Sequence, residues 1–105
     1  MRFIRFEQGR KPERLETLDK LPEQGFAWLD VVREEGSDWA GEVKRLTGTS
    51  IYEAHVIDAN NEGHPSFFES TDAYEMVIFR GLASSDTETL QGRPIAFLIC
   101  PGLLA

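Results

Sequence analysis

Two apolar runs near the C-terminal end constrain the fold more than any other feature: residues 74–82, YEMVIFRGL, and residues 94–100, PIAFLIC. Within the first, Met76, Val77, Ile78 and Phe79 follow one another without alternation. That pattern predicts a strand covered on both faces, in the centre of a sheet. The second run reads as another strand, and hairpin-like pairing with the first is the simplest arrangement. The stretch 83–93 between them reads as a polar loop carrying Asp86 and Glu88.

The rest of the chain supplies further strands and helices. Residues 2–6 alternate charge with Phe3, Ile4 and Phe6, which suits a short strand, and Gln8-Gly9-Arg10-Lys11-Pro12 breaks it. Leu15, Leu18 and Leu21 recur every third residue and predict a short helix or 3₁₀ segment, stopped by Pro22 and Gly25. Residues 26–32 are rich in β-formers, and Glu34-Glu35-Gly36 turns the chain. Asp38 is placed to cap a helix in which Trp39, Val43 and Leu46 form one apolar stripe, with Gly48 as its C-terminal stop. Ser50 and Glu53 have the spacing of a capping box, which predicts a second helix. The turn formers from Asn60 to Pro65 end it near Ala59. Residues 66–70 form one more strand, joined to residue 74 by a Ser70-Thr71-Asp72-Ala73 turn. The expected fold is mixed α+β: a mixed central sheet flanked by two or three helices, in a single domain spanning residues 1–105.

Size and charge narrow the function classes. At 105 residues and 41% hydrophobic content the chain has room for one core. Its longest apolar segment, residues 95–105, is interrupted by Pro101 and Gly102 and falls well short of the roughly 20 apolar residues of a membrane helix. The N-terminal MRFIRFEQGR lacks the apolar stretch of a secretory signal, and the one cysteine, Cys100, has no partner, so the cytosol is the expected compartment. Cys100 and Trp39 read as core residues. The net charge of −7 argues against a nucleic-acid partner, because phosphate binding draws on clustered Lys and Arg. Residues 1–45 carry nine basic and ten acidic side chains, whereas residues 46–105 carry two basic and eight acidic. That second-half excess of carboxylates suits solubility and attracts cations. The apolar stretch at residues 92–105 reads as part of a longer polypeptide.

Motifs for catalysis are sparse. His55 and Asp58 share one helix face and His64 is near enough in sequence to fold back, which would make three ligands of the kind zinc accepts. The same spacing also suits a half-buried helical histidine, with Asp58, Tyr52 and Glu53 as local capping groups. Ser50 follows Gly48, but no glycine stands at position 52, so the nucleophile elbow fails. The dinucleotide fingerprint and the phosphate loop are absent as well. The carboxylate pairs Glu34 with Glu35 and Asp86 with Glu88 fall in turns, where solvated charge is the default. An enzyme is not expected.

The order of elements in residues 51–82 resembles the soluble N-terminal domain of CorA-type magnesium transporters. The shared pattern is a short helix with an acidic residue, a loop, a turn proline and an apolar strand, here carried by Asp58, Pro65 and the run from Tyr74 to Arg80. Ile57, His64 and Ser66 stand where the family has an acid, Arg and Lys, and Tyr52-Glu53 replaces its His-Pro. Weaker similarity extends to FAWLDV at residues 26–31 and to residues 93–104. The resemblance implies a cytoplasmic domain followed by further cytoplasmic residues, a stalk helix and two membrane helices, assembled as a homopentamer. It implies that divalent cations such as Mg²⁺ and Co²⁺ are the cargo. It further implies that Asp86 and Glu88, just beyond the strand, hold a regulatory Mg²⁺ between subunits. Two rivals are a stand-alone intracellular α/β interaction domain and a small metal-dependent hydrolase using His55, Asp58 and His64.

Overall fold

The computed structural model describes residues 1–85 and 89–105, with side chains described outside residues 83–91. Seven strands form a single mixed sheet: β1 (Arg2–Glu7), β2 (Glu13–Leu15), β3 (Gly25–Asp30), β4 (Phe67–Ser70), β5 (Glu75–Ser85), β6 (Thr89–Cys100) and β7 (Leu103–Leu104), in the order β2-β1-β3-β7-β6-β5-β4. Helices α1 (Trp39–Thr47) and α2 (Glu53–Asn60) lie between β3 and β4 in sequence, after a 3₁₀ turn at Arg33–Glu35. The pairing is antiparallel except for β3 with β7, which runs parallel through Ala27↔Leu103 and Trp28↔Leu104. The mixed α+β class read from the sequence is the class observed.

Strand alternation divides the sheet into two unlike faces. Phe3, Ala27, Leu29, Leu103, Cys100, Leu98, Met76 and Ile78 point to one side and are buried with Trp39 and Val43 of α1. The core therefore sits between the sheet and the helices. On the other side Phe26, Trp28, Phe68, Phe79, Ile95 and Ile99 remain exposed. This corrects the expectation that the strand at residues 74–82 is covered on both faces. Met76 and Ile78 are covered, but Phe79 is 58% exposed, so the unalternating apolar run marks a strand with one bare face among the described residues.

Local signals account for α1. The Asp38 carboxylate accepts from the Gly41 N–H at 3.0 Å, satisfying an orphan donor of the first turn. A Cβ at position 41 would stand 2.2 Å from that carboxylate, so a larger residue there would push the capping side chain aside. Gly48 closes the helix with φ 76°, its N–H donating to the Lys44 carbonyl. The expected stripe holds, with Trp39 and Val43 buried and Leu46 half-buried against the core.

Three other expectations change. Leu15 belongs to β2 and residues 16–24 are irregular; Leu18 is buried as a loop anchor, its carbonyl and that of Asp19 accepting from the Arg45 guanidinium. The three-residue recurrence thus spaces anchors and does not build a helical stripe. The second helix begins two residues past the expected cap: Tyr52 is its N-cap without a side-chain bond, and Ser50 is exposed upstream. Finally, the expected loop at 83–93 is largely ladder, because β5 and β6 pair from Glu75↔Ile99 to Ser85↔Thr89. No helix among the described residues is long and apolar enough to cross a membrane.

Candidate functional site

Three of the residues that carry the CorA-type resemblance, Asp58, Pro65 and Arg80, gather at the loop that follows α2, while Tyr74 lies at the other end of β5. Arg80 of β5 ties that loop down. Its Nη1 donates to the carbonyls of Glu62 (3.0 Å) and His64 (2.9 Å), its Nη2 to the carbonyl of Gly92 (2.7 Å), and its backbone N–H to Ser66 Oγ (3.0 Å). A guanidinium serves because its planar fork presents several donors in fixed directions, which a lysine lacks. Pro65 lies in the loop so held. Asp58 of α2 faces the same loop, its Oδ1 3.5 Å from His64 Nε2, while His64 Nδ1 donates to the Pro65 carbonyl.

Beneath α2 lies a buried polar node. His55 is 4% exposed, with Nδ1 against the Tyr74 hydroxyl and Nε2 2.7 Å from Glu69 Oε2. The Tyr74 hydroxyl also accepts the Tyr52 N–H at 3.1 Å. One proton arrangement satisfies all of them: Tyr74 donates to Nδ1, and Nε2–H donates to the Glu69 carboxylate. The rings of Tyr52, Phe67 and Tyr74 surround the imidazole, Tyr74 edge-on at 5.5 Å between centroids. The node links α2 to β4 and to the residue before β5.

Burial raises the Tyr74 hydroxyl above its ordinary value of 10.0, against a smaller lowering from the Tyr52 N–H, and burial alone raises the Cys100 thiol above 9.0. In the unfolded chain both groups lose their protons at lower pH than in the fold. Their contribution to stability is therefore complete below the unfolded values and declines as pH rises through the folded ones. Urea midpoints measured from pH 8 to 10.5 are expected to fall, and to fall less in Tyr74→Phe and Cys100→Ala. An unchanged slope in both variants would remove these groups as the cause.

The proposed zinc ligands do not converge. His55 faces Tyr74 and Glu69, whereas His64 turns to Asp58, and no group of three or more His, Cys, Asp or Glu able to hold a metal ion forms among the described residues. Asp86 and Glu88 lie outside the described residues.

A second surface feature is the bare face of the sheet. Register places Phe68, Val77 and Phe97 in one row, Phe79 beside Ile95 in the next, and Ile99, Leu104, Trp28 and Ile4 in a third. Phe6 and Phe26 stack at 4.6 Å beyond them. Six of these side chains are 36–60% exposed. At roughly 200 Å² per large side chain they present on the order of 600 Å² of apolar surface, the upper end of what a monomer shows and approaching one side of a standard interface. Charge stays at its border, as in the Arg2–Asp30 pair at 2.8 Å. Sequence reading missed this face and also missed Glu69 as the partner of His55. The signal for the first was present, since the odd-numbered residues of β5 and β6 are as apolar as the even ones. Comparison with protein-family models, curated proteins and solved structures finds no match to the chain.

Proposed function

We propose that the chain is the N-terminal cytoplasmic, cation-responsive domain of a CorA-like divalent-cation transporter, a regulatory module and not an enzyme. The observation that carries this reading is the unit made by α2, the Asp58–Pro65 loop and β5. Asp58, Pro65 and Arg80 gather around His64, and Arg80 bonds the loop's backbone. In this reading the domain assembles around a pentameric stalk, and its acidic second half lowers the local potential for Mg²⁺. Mg²⁺ keeps most of its water and needs one or two carboxylates, the role assigned to Asp86 and Glu88 across a subunit boundary. Binding then couples to gating because it favours one packing of neighbouring domains.

Two measurements test it. The open reading frame past Ala105 should run into two apolar spans of about 20 residues each; a frame without them rejects the reading. In the full-length transporter, Asp86→Asn with Glu88→Gln should reduce the protection from proteolysis that Mg²⁺ at about millimolar concentration confers, without altering the fold. Equal protection in the double variant removes both residues from the sensor.

The bare apolar face favours a second reading, a stand-alone intracellular α/β interaction domain whose partner covers that face. A frame that stops near Ala105, with a monomer that binds no divalent cation, would select it.

A further inference from the structure

Strand β7 is two residues long, yet it lies between two longer strands. Its neighbours β3 and β6 therefore diverge around an opening wherever β7 does not reach. Past Ala105 they stand two strand spacings apart, about 10 Å. A cavity of about 320 Å³ occupies this place, walled by Leu29 and Val31 on one side and Ala96 and Phe97 on the other, with Trp39 and Ala59 beneath.

The backbone on both walls is set for a ladder. Ala105 exchanges hydrogen bonds with Leu98 at 2.7 and 2.9 Å, and Ala27 donates to the Gly102 carbonyl at 3.0 Å. Alternation along β6, and along β3 continued one residue past Asp30, then turns the N–H and C=O of Ala96, the C=O of Leu29 and the N–H of Val31 into the opening. Arg33 lies on the rim, and its buried Nε has no partner among the described residues. An entering strand pairs these N–H and C=O groups on both edges at once.

We propose that this opening is a strand-acceptor site, and that in a longer polypeptide the residues following Ala105 fill it, lengthening β7 into a central strand parallel to β3 and antiparallel to β6. The source of the strand rests on the transporter reading, which calls for a continuing chain. Leu103 is buried, Leu104 half-exposed on the bare face, and Ala105 half-buried against the core. The second residue of the continuation accordingly faces Trp39 and Ala59 and is apolar, while the first and third join the bare face. Filling the opening also joins the β2-β1-β3 half of the sheet to the β6-β5-β4 half along their full length, so that a load on either half is carried by backbone bonds.

The test adds a Thr-Val-Thr-Val segment directly after Ala105 and measures amide hydrogen exchange. The expected result is exchange slowed at least about tenfold at Ala96 and Val31, with no slowing when prolines replace the valines, since proline lacks the N–H that would pair with the Ala96 carbonyl and is excluded from a central strand. Equal exchange with both extensions overturns the site. Protection by the same tetrapeptide added free at about millimolar concentration, matching that of the fused one, overturns the continuing chain as its source and assigns the opening to a separate peptide. The reading frame stands apart from these outcomes: a frame lacking membrane spans removes the transporter, while exchange alone decides whether the opening takes a strand.

Discussion

Met76→Ala is expected to lower the free energy of unfolding by about 2–5 kcal/mol, whereas Phe79→Ala, three residues along the same strand, is expected to change it by less than about 0.5 kcal/mol. Met76 is 0% exposed, between Glu69 and Leu98 in the ladder and within the core cluster, so truncation leaves a cavity that the neighbouring strands cannot close. Phe79 points to the opposite side and is already more than half in water. Its removal takes away exposed apolar surface, which also raises solubility. Chemical denaturation of the two variants measures the difference directly. Similar losses in both would mean that the outer face is covered in the protein as studied, and would restore the both-faces-buried strand that the run Met76–Val77–Ile78–Phe79 suggests.

That run shows where sequence reasoning reaches its limit. An unalternating apolar strand records that both faces are suited to burial, but it does not record what covers them. Met76 and Phe79 carry the same pattern and differ only in which side holds α1 and α2. Where the signal is local, the reading succeeded: the Asp38 carboxylate, the Gly48 left-handed turn and the Trp39–Val43–Leu46 stripe are all set within one helix. Where a distant partner decides, it failed. The start of α2 is held by a bond from the Tyr52 N–H to Tyr74, 22 residues away, and this outweighed the Ser50–Glu53 spacing. Leu18 is placed by Arg45, 27 residues on, and no three-residue rhythm could report that. The candidate site divides the same way. Asp58, Pro65 and Arg80 were legible as a linear order, whereas the role of Glu69 depends on β4 lying alongside β5.

The buried node at His55 yields the second large effect. His55→Ala is expected to destabilise the protein by about 2–4 kcal/mol, because it opens a space among Tyr52, Phe67 and Tyr74 and leaves the Tyr74 hydroxyl without an acceptor. Glu69 contributes little to that loss, since its side chain is 53% exposed and water replaces the imidazole as its partner. His55→Phe separates packing from hydrogen bonding: the ring refills the space, while the hydroxyl stays unsatisfied, so the loss should be smaller, about 1–2 kcal/mol. Tyr74→Phe removes the other end of the same bond and leaves the Tyr52 N–H without its acceptor. Combining His55→Phe with Tyr74→Phe should then cost less than the two single changes together, by about 1 kcal/mol, because once the hydroxyl is gone an apolar ring at position 55 strands nothing. Urea denaturation of the four proteins at one pH near 7 gives the coupling. Strict additivity would mean that the His55–Tyr74 bond carries no net energy, and that α2 is fixed to β4 and β5 by aromatic packing alone.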